Sequence, residues 1–362
     1  MKTLADLQAT TEALVRIPSI SSDRQACNDV LDFLRSQLVD PDSFHLEVFE
    51  YQGYRSLIVS TVPGRQAPLI LNGHVDVVWA DTDQFVPRPQ NGHLWGRGTY
   101  DMKGSVAVFL EILKDLGKLP PAQRPKVQFQ FVSDEEIGGH RGVERMVDEG
   151  FDTDLMIAGE PTDLGICHQA KGVYWLTLRL KGQPGHAARP WLTRNPILAL
   201  SRGLNALLAR YPTPIEPVWQ TTATPTGLLA GNSHNRVPDT VEFKLDIRYV
   251  PEDAPEDIRR FLESVFPHCE IEVVQLAVPL MTAADHPLVE RVAGLQEQML
   301  GQRPRFFSEH FASDARYYSA KGTPAICWGP CGAGMHADDE RVELESLHTY
   351  YRLVHQLLTL YR

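Results

Sequence analysis

From Leu4 to Ala158 the chain alternates short apolar runs with segments of helical periodicity, and this alternation restricts its fold more than any other feature. Apolar residues recur at helical spacing in Leu4 to Val15 and in Ala26 to Leu38. The break Pro18-Ser19-Ile20-Ser21-Ser22 lies between them, and Ser or Asp there can cap the second helix. Strand-like runs follow at His45 to Tyr51, Ser56 to Val62 and Pro68 to Leu71. Ser105 to Leu116 reads as helix, Lys126 to Val132 as a buried strand, Gly142 to Glu149 as helix and Thr153 to Ala158 as strand. Strands that alternate with helices predict an α/β layer fold with a largely parallel sheet.

The pattern changes after Lys171-Gly172. Val173 to Lys181 reads as strand, Pro196 to Tyr211 as helix, and Thr221 to Leu229 and Val241 to Val250 as two more strands. A helix over Pro255 to Phe266 then carries Ile258, Leu262 and Phe266 on one face, and Glu270 to Val278 is a last strand. This β-α-β-β-α-β order is the ferredoxin-like arrangement. Beyond Pro287 the chain returns to helix (Val289 to Leu300), strand (Ala325 to Trp328) and a final helix (Leu344 to Tyr361). At 362 residues, about two domains are expected. The economical division is an α/β domain over 1–171 and 281–362, interrupted by a smaller domain over 172–280.

The formal charge of −11 argues against nucleic acid or an anionic membrane surface as partner and is compatible with a small cationic substrate. Met1 to Leu7 lacks the basic patch and apolar stretch of a secretory signal, and the apolar run Val106 to Leu113 is broken by Glu111, so no membrane span is expected. Cys27, Cys167, Cys269, Cys327 and Cys331 are scattered and odd in number, as suits free thiols in a reducing cytoplasm.

Chemistry concentrates in five places. The apolar strand Leu69-Ile70-Leu71-Asn72-Gly73 delivers His74 at its carboxyl end, where α/β sheets usually place their sites. Asp76, two residues on along an extended chain, points to the same side and can hold the imidazole. Gly96-Arg97-Gly98-Thr99-Tyr100-Asp101-Met102-Lys103-Gly104 has the glycines of a nucleotide loop, but Asp101 stands where the third should be. A glycine-permitted loop offering Asp101 to a cation is the better reading. Phe131-Val132-Ser133-Asp134-Glu135-Glu136 places three acids after a buried strand, which is costly unless a positive charge sits beside them. The adjacent glutamates point in different directions, so one can bind metal while its neighbour acts as a base. Gly159-Glu160-Pro161-Thr162 ends another apolar strand, and Met335-His336-Ala337-Asp338-Asp339-Glu340 follows the last one. Each cluster alone also fits an ordinary structural histidine or turn acid. Five oxygen or imidazole donors at the strand ends of one domain point together to a metal site.

These motifs jointly resemble the M20 metallopeptidase family, in its acetylornithine deacetylase / succinyl-diaminopimelate desuccinylase branch, over nearly the whole chain. The resemblance implies a catalytic domain interrupted by a lid and dimerisation domain. It implies two Zn²⁺ per subunit, with Co²⁺ as a possible substitute, bridged by Asp101. His74 and Glu160 would bind one metal and Glu136 and His336 the other, with Glu135 as general base and Asp76 as partner of His74. The expected reaction is attack of a metal-bound hydroxide on the amide of a small N-acyl amino acid. N-acetylornithine is the expected substrate, with arginine biosynthesis as its setting. N-succinyl-diaminopimelate or a short peptide is the alternative. Gly185-His186-Ala187-Ala188 resembles the segment by which a lid histidine reaches the neighbouring subunit of a homodimer. Asn235, in Asn232-Ser233-His234-Asn235-Arg236, and Arg248 resemble the family's substrate-carboxylate elements, where a guanidinium grips a carboxylate with two hydrogen bonds. A loop histidine and a strand-end salt-bridge arginine are the plain alternatives for His186 and Arg248. Ser308-Glu309-His310-Phe311-Ala312-Ser313-Asp314-Ala315-Arg316 departs from acetylornithine enzymes; its Glu309, His310 and Arg316 are specificity candidates or surface residues.

Overall fold

The computed structural model describes residues 1–362, which form two compact units. The first comprises Met1–Gln169, Leu280–Phe307 and Ser313–Arg362, and the second Ala170–Pro279 with the short return Ser308–Ala312. No helix is long and apolar enough to cross a membrane.

The first unit is built on a nine-stranded mixed sheet. Its path runs His45–Tyr51, Tyr54–Ser60, Gln128–Val132, Gln66–His74, Asp152–Ala158, Ala325–Cys327, Ile166–Ala170 and Leu280–Met281, with Phe306–Glu309 paired to Ile166–Ala170. The four central strands are parallel, in the register His74 opposite Val132, Asn72 opposite Ala158 and Ala158 opposite Cys327. Their side chains are buried on both faces, which is why they read as continuous apolar runs and not as alternating ones. Leu69, Leu71, Phe129, Phe131, Leu155 and Ile157 pack with Phe109 and Ile112 of the helix Gly104–Gly117 and with Tyr350 and Val354 of the helix Leu344–Leu358. Each such burial is worth about 1.5–3 kcal/mol. A Cβ at Gly159 would come within 2.9 Å of Phe109, so the glycine lets that helix seat tightly beside the strand end that carries Glu160.

The second unit is a four-stranded antiparallel sheet in the order Thr222–Ala230, Thr240–Tyr249, Gly172–Lys181, Cys269–Ala277. Here alternation is clear. Tyr174, Leu176, Leu178 and Leu180 face a core shared with Leu200 and Leu207 of the helix Pro196–Arg210 and with Ile258 and Leu262 of the helix Pro255–Val265, while Trp175, Arg179 and Lys181 remain partly or fully exposed.

Several boundaries differ from the sequence reading. The second helix is Arg24–Ser36, capped by the Asp23 side chain on the Ala26 amide at 3.1 Å. Ser21 is drawn elsewhere, onto Asp76. The last helix ends at Leu358, followed by a short 3₁₀ turn. A further four-stranded sheet, Gly332–Ala333, Arg341–Glu343, His93–Trp95 and Arg88–Gln90, has no signature in the sequence. Its strands have two or three residues each, too short for a period to show.

Candidate metal centre and active site

The carboxyl ends of the parallel strands bring the donors together. His74 closes its strand. Glu135 and Glu136 follow Val132 in a 3₁₀ turn, and Glu160 stands just beyond Ala158. Asp101 arrives on the irregular turn before the helix Gly104–Gly117, with Gly98 at φ 81° opening that turn. The small four-stranded sheet delivers His336, on the loop between Gly332–Ala333 and Arg341–Glu343.

Donor atoms of His74, Asp101 and Glu136 all lie within 4.8 Å of one another. Asp101 sits between the imidazoles, its Oδ1 at 3.0 Å from His74 Nε2 and its Oδ2 at 3.2 Å from His336 Nε2. His336 Nε2 also lies 3.2 Å from Glu136 Oε2, and Glu160 Oε2 lies 3.9 Å from His74 Nε2. The structure thus brings together all five donors read from the sequence, with Glu135 on the same turn as Glu136.

Charge in this cluster is out of balance in a way that fits bound cations. Asp101, Glu135, Glu136 and Glu160 face two imidazoles. Burial and the nearby acids hold Glu135 and Glu160 well above the usual carboxylate range. Burial also works against an ionised Asp101, but the imidazoles prevail and hold it low. Contacts with Asp101 and Glu136 push His336 up to about 10. The second Glu136 oxygen, Oε1, is buried with no hydrogen-bond partner. Nδ1 of His74 lies 2.9 Å from the Asp76 backbone oxygen, which can only accept, so Nδ1 carries a proton and Nε2 is the nitrogen that would face a cation beside Asp101. Imidazole and carboxylate donors so arranged suit divalent zinc or cobalt.

Asp76 stays beside His74 and takes on further contacts. Its carboxylate lies 3.7 Å from His74 Nδ1, beyond hydrogen-bond distance, and the backbone carbonyl takes that proton instead. The carboxylate accepts from Ser21 Oγ at 2.8 Å and from the amides of Glu135 and Glu136 at 3.3 and 3.2 Å.

Other residues of the site were not legible. Glu340 is buried and accepts from the amides of Tyr100 and Asp101, each at 3.0 Å. Arg97, buried beside it, binds Glu340 at 2.6 Å and the His336 carbonyl at 3.2 Å. His336 itself has φ 61°, unusual for a non-glycine residue, and this tether holds it there. Lys103 is fully buried, with Nζ on the carbonyls of Leu14 and Ile17 at 3.1 and 2.7 Å. Arg316 is buried as well, which removes it from the surface reading. Glu340 and Arg97 stood within quoted motifs, but nothing local separates a buried charge from a solvated one.

The candidates in the second unit are arranged separately. His186 and Arg236 are register partners in a two-residue β-pair, and the Asn235 carbonyl accepts from the Ala187 amide at 2.9 Å. His186 is exposed, and its Nδ1 accepts from the Ala188 amide at 3.1 Å. Arg248 already has a carboxylate partner, Asp246, at 2.9 and 3.3 Å, in line with a strand-end salt bridge.

A family model for the M20/M25/M40 peptidases matches residues 70–360. The chain belongs to this family. M20 proteins are typically dependent on a pair of metal ions; the present chain is a hydrolase that acts on amide bonds and carries a possible metal-binding group. It is 32% identical to a succinyl-diaminopimelate desuccinylase of Stenotrophomonas maltophilia (strain R551-3), over 98% of this chain and 99% of that protein. It is 28% identical to the protein of the same name from Hydrogenovibrio crunogenus (strain DSM 25203 / XCL-2), over 96% and 98%. Among solved structures it shares the fold of the aminopeptidase PepT from Bacillus cereus ATCC 10987, with TM-score 0.80, 20% identity and 98% of both chains covered. These relatives favour the desuccinylase reading over N-acetylornithine, and they give no support to arginine biosynthesis.

Proposed function

We propose that this M20 protein removes the acyl group of a small N-acyl amino acid, with an N-succinyl amino acid such as N-succinyl-diaminopimelate as substrate. Two zinc ions, replaceable by cobalt, would be held by His74, Asp101, Glu136, Glu160 and His336, with Asp101 between them. The observation that carries the reading is the Asp101 carboxylate set between two imidazoles, beside a turn that carries Glu135 and offers Glu136 to the cluster. The succinyl assignment rests on the curated relatives that span the chain.

When bound, the metal ions supply Lewis acidity that polarises the amide carbonyl and acidifies water. Glu135, on the turn beside Glu136, is placed to take a proton from the attacking water and to pass it to the departing amine nitrogen. Water oxygen joins the carbonyl carbon as the C–N bond breaks, so acid and amine leave together. Asp76 fixes the amides of Glu135 and Glu136, which keeps base and ligand in register. His186 is proposed to aid the developing oxyanion in the partner subunit of a homodimer. Asn235 and Arg248 are proposed to hold a substrate carboxylate, with Arg248 exchanging Asp246 for it. A cytoplasmic setting accords with five free cysteines.

The test is a panel of N-succinyl, N-acetyl and dipeptide substrates on zinc-loaded protein. N-succinyl substrates should give the highest kcat/KM; preference for dipeptides or N-acetyl substrates would sink the succinyl assignment. Mixing inactive Glu135→Ala and His186→Ala dimers should restore activity if His186 serves the partner, and no recovery removes it from that role.

A further inference from the structure

Glu135 and Glu136 occupy one turn of 3₁₀ helix, and both ends of that turn are anchored by distant residues. Asp76 anchors the entry. At the exit, Gly138 has φ 108° and its amide closes onto the Glu135 carbonyl at 2.8 Å. The Gly138 carbonyl then accepts two hydrogen bonds, from Arg316 Nη2 at 2.7 Å and from the Tyr317 hydroxyl. Arg316 Nη2 also lies 3.1 Å from the Tyr317 hydroxyl, and Nη1 donates to the Ser313 carbonyl at 2.9 Å.

This is an expensive way to hold one carbonyl. Arg316 is 2% exposed, and burying a guanidinium costs several kcal/mol before any contact returns it. The acid beside it, Asp314, has neither oxygen hydrogen-bonded. Offsetting the buried Asp314 charge explains a cation here, but it does not require that cation to be bonded to the Gly138 carbonyl. What a planar, doubly bonded donor provides is a fixed location for Gly138, and through the closed turn for the backbone of Glu135. The neighbouring glycine allows no slack. A Cβ at Gly139, where φ is +65°, would fall 2.0 Å from Asp314 Oδ1.

We propose that Arg316 and Tyr317 are positioning residues that fix the Glu135 turn through the Gly138 carbonyl, so that their loss acts on proton transfer and not on metal or substrate binding. This rests on the reading of Glu135 as the proton acceptor. Neither residue need touch substrate.

The experiment introduces Arg316→Lys and Tyr317→Phe separately, each in the native sequence and in Glu135→Gln. On the zinc-loaded protein it measures kcat, KM, metal content and amide hydrogen exchange over 134–139. A displacement near 1 Å costs about 100-fold, so Arg316→Lys should lower kcat by about 10–100-fold with KM and zinc content unchanged. Amides of Gly138 and Gly139 should exchange faster. In Glu135→Gln the same substitutions should cost little more, because the group they position has gone. Equal losses in both backgrounds, or a loss that follows zinc depletion, would overturn the proposal. Should Arg316→Lys fail to fold, Tyr317→Phe carries the test: it removes one hydroxyl and keeps the ring, and unchanged kcat and exchange there would also overturn it. Native turnover in Glu135→Gln alone is a separate result; it removes Glu135 as base, and the proposal with it.

Discussion

Replacing Glu340 by alanine should strike both stability and metal binding, and the structure lets the two be separated. The substitution strands the Arg97 guanidinium, which is 3% exposed and binds Glu340 at 2.6 Å. Breaking a buried ion pair on one side costs about 3–5 kcal/mol. The amides of Tyr100 and Asp101 lose their acceptor at the same time, and a hydrogen bond to a charged group is worth about 1.5–3 kcal/mol. These terms share one residue and do not add fully, so a loss of about 4 kcal/mol is expected, a large part of a typical total stability of about 5–15 kcal/mol. Urea unfolding of metal-free protein measures it without the contribution of bound metal.

The double variant Arg97→Met, Glu340→Leu then separates the effects. Exchanging the whole pair for apolar side chains should recover most of the stability. It restores neither the acceptor for the Asp101 amide nor the donor to the His336 carbonyl, so zinc affinity should stay about 10–100-fold below native. A Glu340→Ala loss under about 1 kcal/mol would mean that the pair behaves like a surface salt bridge. Native zinc affinity in the double variant would mean that the tether does not place Asp101 and His336. Either result refutes the reasoning.

Glu135→Ala should retain its metals while turnover falls by about 10²–10⁴, read from zinc content and kcat together. Removing metal with a chelator should abolish activity and lower Tm, since Asp101, Glu136 and Glu160 are left as crowded acids; zinc or cobalt should restore both, and an unchanged Tm would count against the site. Gly203→Ala should destabilise the second unit by about 1–3 kcal/mol, because its Cβ would lie 2.0 Å from the Phe266 ring on the facing helix end; calorimetry would register the shift. Cys27 should resist thiol reagents in folded protein at pH 8: burial pushes its thiol up to about 12, so the reactive thiolate forms only in stronger base, and rapid labelling would contradict its placement.

The outer α/β sheet and the ferredoxin-like unit were legible because hydrophobic period is a local property. Leu69 to Leu71 and Phe129 to Phe131 must be buried on both faces wherever they lie, and Tyr174 to Leu180 must alternate. The donors were legible for a related reason: His74, Glu136 and Glu160 each follow an apolar strand, and parallel strands share one carboxyl edge. Of the Ser and Asp residues that could cap the second helix, Asp23 does so, while Ser21 bonds the charged Asp76 at 2.8 Å. Spacing along the chain put Asp76 beside His74 but could not show that its oxygens also accept from the amides of Glu135 and Glu136.

The sequence by itself determined which segments must be buried, and therefore which ends carry the acids and histidines. Tertiary structure alone decided the state of each charge. Arg97 and Glu340 are 243 residues apart, and Arg316 and Gly138 are 178 apart. A charged side chain is solvated, paired or stranded according to what else reaches it and how much water is expelled. That depends on the distant segments folded against it, so no local pattern could show that these residues would be buried and paired.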